Sequence, residues 1–252
     1  MLCDAGWGSR REVRRAIAQG RVTVDGATVV SAGAQVGPDR TVCIDGQDAD
    51  YRPHDYLMLH KPAGVVSATE DPRLPTVVGL LPPRYRRRGL FPVGRLDRDT
   101  TGLLLLTNDG ALAHALMAPG RHVDKVYEVL VEGLLTEADR AAFAAGLALR
   151  SGEIFAPAAL SVVSSGALSL ARLTLREGRH HQIKRMMAAR GHEVRALKRI
   201  SVAQLTLDET LPPGAWRRLS DEETALLRSS LPAPPQPGPP RDHSKRQQKT
   251  RI

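Results

Sequence analysis

The sequence predicts an α+β fold in two unequal parts, a small N-terminal module over residues 1–46 and a larger mixed-sheet domain over residues 56–230. Three observations carry that reading. Strand-like segments and helix-capping patterns interleave without a regular βα period, which disfavours a doubly wound parallel sheet. Two Asp-Gly hairpin signals, Asp25-Gly26 and Asp45-Gly46, fall within the first 46 residues. A hydrophobic content of 42% over 252 residues is enough for ordinary packed cores.

In the first part, Ser9-Arg10-Arg11-Glu12 fits a capping box, Val13 and Ile17 give an apolar i, i+4 pair, and Gly20 stands where a glycine ends a helix. The other side of this short helix carries Arg10, Arg11, Arg14 and Arg15. Like charges at this spacing repel in isolation, so the face is either simply solvated or matched by phosphates. Arg21-Val22-Thr23-Val24 alternates as a strand before Asp25-Gly26, and residues 36–46 add another turn and strand. Residues 47–55 are polar and contain Pro53, as suits a linker.

The second part opens with the apolar strand Tyr56-Leu57-Met58-Leu59 and continues with strand-like Val126–Val131 and Leu168–Leu175. Capping patterns at Thr136-Glu137-Ala138-Asp139 and Ser220-Asp221-Glu222-Glu223 announce helices. Residues 231–252 are rich in Pro and then basic, with Lys245, Arg246, Lys249 and Arg251, and are expected to be a disordered tail.

The composition narrows the function. Thirty-six Lys and Arg against 27 Asp and Glu give a formal charge of +9, a balance suited to phosphate backbones. Aromatic residues are only 4%, so contacts should come from Arg and Lys rather than from stacking platforms. Cys3 and Cys43 are too few for a zinc site or a disulfide framework and read as packing residues of a reducing compartment. No run approaches the roughly 20 apolar residues of a membrane span, and no signal peptide is evident, so a cytoplasmic location is expected. The chain lacks a Gly-rich phosphate loop, which weighs against nucleotide-cofactor enzymes.

The most informative segment runs from Gly94-Arg95-Leu96-Asp97-Arg98-Asp99-Thr100-Thr101-Gly102 into Leu103-Leu104-Leu105-Leu106. It sets acids among arginines at the mouth of a core strand. Arg95 and Arg98 would favour the charged form of Asp97, which a nucleophile or base requires. On these grounds Asp97 ranks only modestly above Asp99, and Asp109, in an Asn-Asp-Gly turn, reads as structural. The His180-His181 pair lacks accompanying ligands for a metal, which leaves RNA contact or loop packing.

Residues 6–46 resemble the S4 RNA-binding domain. The first helix of that family is longer than Met1–Ala5 allows, so the start is expected to be late. The remainder resembles the pseudouridine synthases of the branch with an S4 domain in front. That resemblance implies that Asp97 is the catalytic carboxylate and that Arg95 lies near the displaced nucleotide. His60-Lys61-Pro62-Ala63-Gly64 is similar to the family's Lys-Pro-x-Gly turn beside the cleft, and Lys125-Val126-Tyr127 to a Lys-x-Tyr motif whose Tyr packs on the target base. Glu177-Gly178-Arg179-His180-His181-Gln182-Ile183-Lys184-Arg185-Met186 resembles the third motif, which implies that Lys184 pairs with Asp97 and that Ile183 lines the uracil pocket. Arg10, Arg11, Arg14, Arg15, Arg21, Lys61, Arg95 and Arg179 are the candidates for RNA contact. The implied reaction turns a uridine of ribosomal RNA, or of a ribosomal subunit precursor, into pseudouridine, with no cofactor and no metal, in a monomer. Asp99-Thr100-Thr101-Gly102, residues 149–153 and the third motif look more like the enzymes of 16S RNA. The large-subunit enzymes and a non-catalytic assembly factor that keeps the fold for its surface are the alternatives.

Overall fold

The computed structural model describes residues 1–37, 39–118 and 123–230, so the basic tail lies outside the described residues. The N-terminal unit consists of α1 (Arg10–Ala18), β1 (Val22–Val24), β2 (Ala27–Thr28), β3 (Val42–Ile44) and β4 (Gln47–Asp48). Ser9 caps α1 in a reciprocal box with Glu12, and Gly20, at φ +71°, turns the chain out of the helix. Val13, Ala16 and Ile17 pack on Val22, Val42 and Ile44. Asp25-Gly26 and Asp45-Gly46 all have positive φ, the geometry a two-residue hairpin turn needs. The sheet runs β2-β1-β3-β4. Here the structure corrects the expected boundary, because Gln47 and Asp48 pair with β3 and Ala49 is buried in this small core. The connection is therefore shorter than residues 47–55.

The larger domain contains β5 (Tyr56–Lys61), α2 (Pro83–Arg87), β6 (Phe91–Pro92), β7 (Thr101–Thr107), α3 (Gly110–Met117), β8 (Lys125–Glu132), α4 (Glu137–Ala145), β9 (Leu147–Ala148), β10 (Ile154–Phe155), β11 (Ala159–Ser164), β12 (Leu168–Leu175), α5 (Gln182–Ala189), β13 (Val194–Val202), β14 (Leu205–Thr206), β15 (Trp216–Arg218) and α6 (Asp221–Ser229). The main sheet has the order β11-β12-β8-β13-β7-β5-β15, with β14 on β13 and β6 on β7. Its named pairings are antiparallel apart from the seam between β7 and β13, where Thr101 and Gly102 align in parallel with Lys198 and Arg199. Gly102 is required there: it has φ +104°, and a Cβ would lie 2.2 Å from the Arg199 carbonyl oxygen.

The apolar run of β7 faces two cores. Leu104 and Leu106 enter the larger one with Leu57, Leu59, Val129 and Met186, while Leu103 and Leu105 enter the other with Met58, Leu112, Val202 and Leu227. Burial on both sides explains why the strand reads as continuous leucine rather than alternating. Thr136 and Ser220 cap α4 and α6 in reciprocal boxes. Asp109 is the N-cap of α3, its carboxylate accepting from the Leu112 backbone at 2.9 Å.

The two units meet at residues 4–7 and α2. Arg88, just past α2, donates to the carbonyls of Asp4 and Arg52, each at 2.6 Å, and pairs with the fully buried Asp55 carboxylate. Gly6, at φ +79°, passes so close to α2 that a Cβ would lie 2.4 Å from the Arg84 carbonyl oxygen. The Arg84 guanidinium lies 5.7 Å from the Trp7 ring centre.

Candidate active site

Asp97 sits in the loop that enters β7 at the parallel seam, and this loop is fastened from below. Lys61, at the end of β5, is fully buried, and its ammonium donates to the carbonyls of Pro62, Arg98 and Thr100 at 3.0, 3.1 and 2.9 Å. Ser67 Oγ donates to the Leu96 carbonyl at 2.9 Å and accepts from the Leu96 amide at 3.0 Å. The Gly64 amide donates to the Arg98 carbonyl at 2.8 Å. Lys61 therefore corrects the expectation of an RNA contact: no part of it reaches the surface, and burial pushes its ammonium down to about 8 against the raising pull of Asp99 and Asp97. The Lys-Pro-x-Gly segment acts as a buttress for the acidic loop.

Across the seam, α5 supplies the facing cations. Lys184 Nζ lies 4.0 Å from Asp97 Oδ2 but only 2.6 Å from each oxygen of Asp99. The expected Lys184–Asp97 pair is thus a looser contact, and Asp99 is the direct partner. The hydrogen bond from Lys184 holds the Asp99 carboxyl below its ordinary value, burial opposing it and the charges of Lys184 and His181 adding to it. His181 Nε2 lies 3.7 Å from Asp97 Oδ1. His181 has the left-handed φ of +51° at the start of α5, and its ring stacks on His180 with centres 3.9 Å apart. A non-glycine residue held in that conformation marks a constrained site. Arg95 and Arg98, placed next to Asp97 by the sequence, are exposed and form no ion pair with it among the described residues.

Asp97, Arg95, Tyr127, Ile183, Lys184 and His181 line one pocket, whose apolar floor continues through Leu96, Leu175 and Leu197. Tyr127 and Ile183 are buried within the larger core. Gln182, 3% exposed, shapes the rim by donating to Glu177 at 2.6 Å and accepting from the Arg179 amide at 3.1 Å. Arg179 stands at the pocket edge, paired with Glu153 and Glu177, so it is less available to RNA than expected. Arg21 is likewise engaged, by both oxygens of Asp45. Arg10, Arg11, Arg14 and Arg15 are exposed and unpaired among the described residues. Among the described residues no three His, Cys, Asp or Glu side chains are grouped to hold a metal.

The roles of Asp99, Ser67 and Gln182 had weak signals in the sequence. Asp99 lies two residues from Asp97, but nothing local reveals which acid the distant amine meets. The geometry is a carboxylate at the mouth of a small pocket with charged walls and an apolar floor, opposed by an amine and an imidazole. It fits a planar base brought beside a reactive acid.

Comparison with known proteins agrees. The model of the RNA pseudouridylate synthase family matches residues 55–189, and that of the S4 domain matches residues 1–42. The chain belongs to the RNA pseudouridylate synthase family. This synthase is 43% identical over 229 residues to an uncharacterized RNA pseudouridine synthase of Bacillus subtilis, covering 90% of this chain and 96% of the relative. It is 44% identical over 217 residues to the ribosomal small subunit pseudouridine synthase A of Pseudomonas aeruginosa, covering 85% and 93%. A crystal structure of a pseudouridylate synthase superposes with a TM-score of 0.64 at 34% identity, over 90% of this chain and 96% of the other. The chain is an RNA pseudouridine synthase with an S4 domain in front of an α+β synthase domain.

Proposed function

We propose that this synthase isomerises one uridine of small-subunit ribosomal RNA, with Asp97 as the reacting carboxylate and no cofactor. The reading rests on the placement of Asp97 at the mouth of the pocket floored by Tyr127 and Ile183, with Lys184 and His181 facing it. The reaction breaks the bond from ribose C1′ to uracil N1, turns the ring, and joins C5 to C1′. It is redox-neutral and needs no group donor. Asp97 serves as nucleophile or as base toward the sugar C2′ proton, and both roles use the ionised carboxylate. Lys184 and His181 face that carboxylate at 4.0 and 3.7 Å. Tyr127 offers its ring to the uracil, and the exposed Arg95 is placed to meet the phosphates of the flipped nucleotide.

The small-subunit RNA is supported by relatives of that name at 40–44% identity. The enzyme is taken to act as a monomer on free RNA or on a subunit precursor. The test expresses wild type and Asp97→Asn in a strain without its own small-subunit synthase and maps pseudouridine in both ribosomal RNAs. One new site in small-subunit RNA, dependent on Asp97, is the expected result. Modification by the Asn form would remove Asp97 from the chemistry. A site in large-subunit RNA would reassign the substrate, and no modification by wild type would favour the assembly-factor alternative.

A further inference from the structure

Some arginines of the synthase-domain loops, Arg73, Arg95, Arg98 and Arg150, are exposed and form no ion pair among the described residues. Arginines on or next to the outer strands and helices of that domain are neutralised in place: Arg140 by Glu137, Arg172 by Glu128, Arg176 by Asp124, Arg195 by Glu132 and Arg217 by Glu223. On the hairpin side of the N-terminal unit, Arg21 and Arg40 are matched by Asp45 and Asp25. The junction differs. Residues 1–15 and 83–88 together hold eight arginines against two acids, Asp4 and Glu12. Arg10, Arg11, Arg14, Arg15 and Arg86 are exposed and form no ion pair among the described residues, and Arg87 is exposed with only a 3.4 Å bond to the Gly6 carbonyl.

The two acids do not cancel this charge. Asp4 is taken by the N-terminal amine at 2.8 Å. Glu12 folds back on the Ser9 amide at 2.7 Å, and that bond, followed by the Ser9 hydroxyl and the charge of Arg87, lowers its carboxyl. Arg87 donates to the Gly6 carbonyl at 3.4 Å, Arg88 to the Asp4 carbonyl at 2.6 Å, and Arg84 lies over Trp7, so α2 is fastened to the segment that leads straight into α1. Holding unpaired like charges together is unfavourable in the free protein. A polyanion reverses that cost by releasing its own counterions.

We propose that the arginines of α1 and α2 form one continuous phosphate-binding surface across the domain junction, so that a single RNA contacts both units at once. The inference rests on the reading of RNA as substrate. It adds a contact, Arg86 and Arg87, that lies outside the S4 domain and away from the cleft. Phosphate contacts of this kind position RNA without reading its bases.

The test measures anisotropy of a fluorescein-labelled RNA hairpin with single-stranded flanks, titrated with the full chain over a range of salt. The slope of log K against log salt counts neutralised phosphates at roughly 0.7–0.9 each. Arg86→Gln/Arg87→Gln and Arg11→Gln/Arg14→Gln are each expected to make the slope shallower by about 1–2, and their combination by about 3. Arg86→Lys/Arg87→Lys, which keeps the charge, retains the slope, and so does Arg140→Gln on α4. A wild-type slope for Arg86→Gln/Arg87→Gln overturns the proposal, as does a loss of affinity without a change of slope. RNA that fails to bind the wild type overturns the RNA reading itself, and the proposal with it.

Discussion

The cleft and the domain junction both concentrate charge, but they do so in opposite ways. In the cleft most cations have an acid in reach, with Lys184 shared between Asp99 and Asp97, and Arg179 and Arg185 held by Glu153, while Arg95 on the pocket wall forms no ion pair among the described residues. Those ion pairs are in place before any substrate arrives. At the junction the arginines of α1 and Arg86 stand without acids among the described residues. Matched charge there would only compete with phosphate. The cleft thus holds most of its charges in ion pairs, whereas the junction leaves most of its arginines without them.

The largest expected effect falls in the cleft. Asp97→Asn keeps the size of the side chain but removes the charge, and pseudouridine formation is expected to fall by on the order of 10³-fold or more. Near-normal turnover of an RNA substrate by this variant would break the contrast between the two regions.

Lys61 tests whether the acidic loop depends on its buried buttress. Lys61→Met leaves the carbonyls of Pro62, Arg98 and Thr100 without their donor. A loss of about 3 kcal/mol is expected in urea unfolding, with a parallel loss of activity. Unchanged stability would show that the loop holds itself.

Asp139 provides an ion pair remote from both regions. Burial raises its carboxyl, but bonds from the Thr136 amide and hydroxyl and from Arg190, with the charge of His192, hold it at about 2. A carboxyl depressed in the folded state contributes stability above its ordinary value and loses it as pH falls through the folded value. About 2 kcal/mol should therefore disappear between about pH 4 and pH 2. Asp139→Asn should remove that portion of the acid dependence in a pH series of unfolding curves.

The smallest effect belongs to the junction. Arg10→Gln/Arg15→Gln is expected to raise KM for RNA roughly 3–10-fold near physiological salt, with a larger difference at low salt and a smaller one at high salt. An equal change at all salt concentrations would mean that α1 acts by shape rather than by charge.

Much of this was legible in the sequence because its signals are local. Ser9, Thr136 and Ser220 with their partners three residues on mark helix starts, Asp-Gly pairs mark hairpins, and the leucine run marks a strand buried on both faces. Asp97 and the pocket residues Tyr127 and Ile183 came from motifs that the fold brings together. What stayed hidden depends on contacts between distant segments. Nothing near Lys61 shows that its amine turns inward, because lysine is usually exposed. Nothing near Lys184 shows that Asp99 is the closer acid. The engagement of Arg21 and Arg179 by acids likewise appears only when the strands and loops are in place. Residues 47–49 looked like linker because a two-residue edge strand carries too little pattern to detect.

The parallel seam at Gly102 has a consequence for the birth of the enzyme. Asp99 and Lys184 are separated by 85 residues, and β7 can take its place beside β13 only after almost the whole synthase domain has left the ribosome. Contacts of such long range form late and slowly. A nascent chain therefore completes its arginine-rich N-terminal module well before it owns a finished cleft.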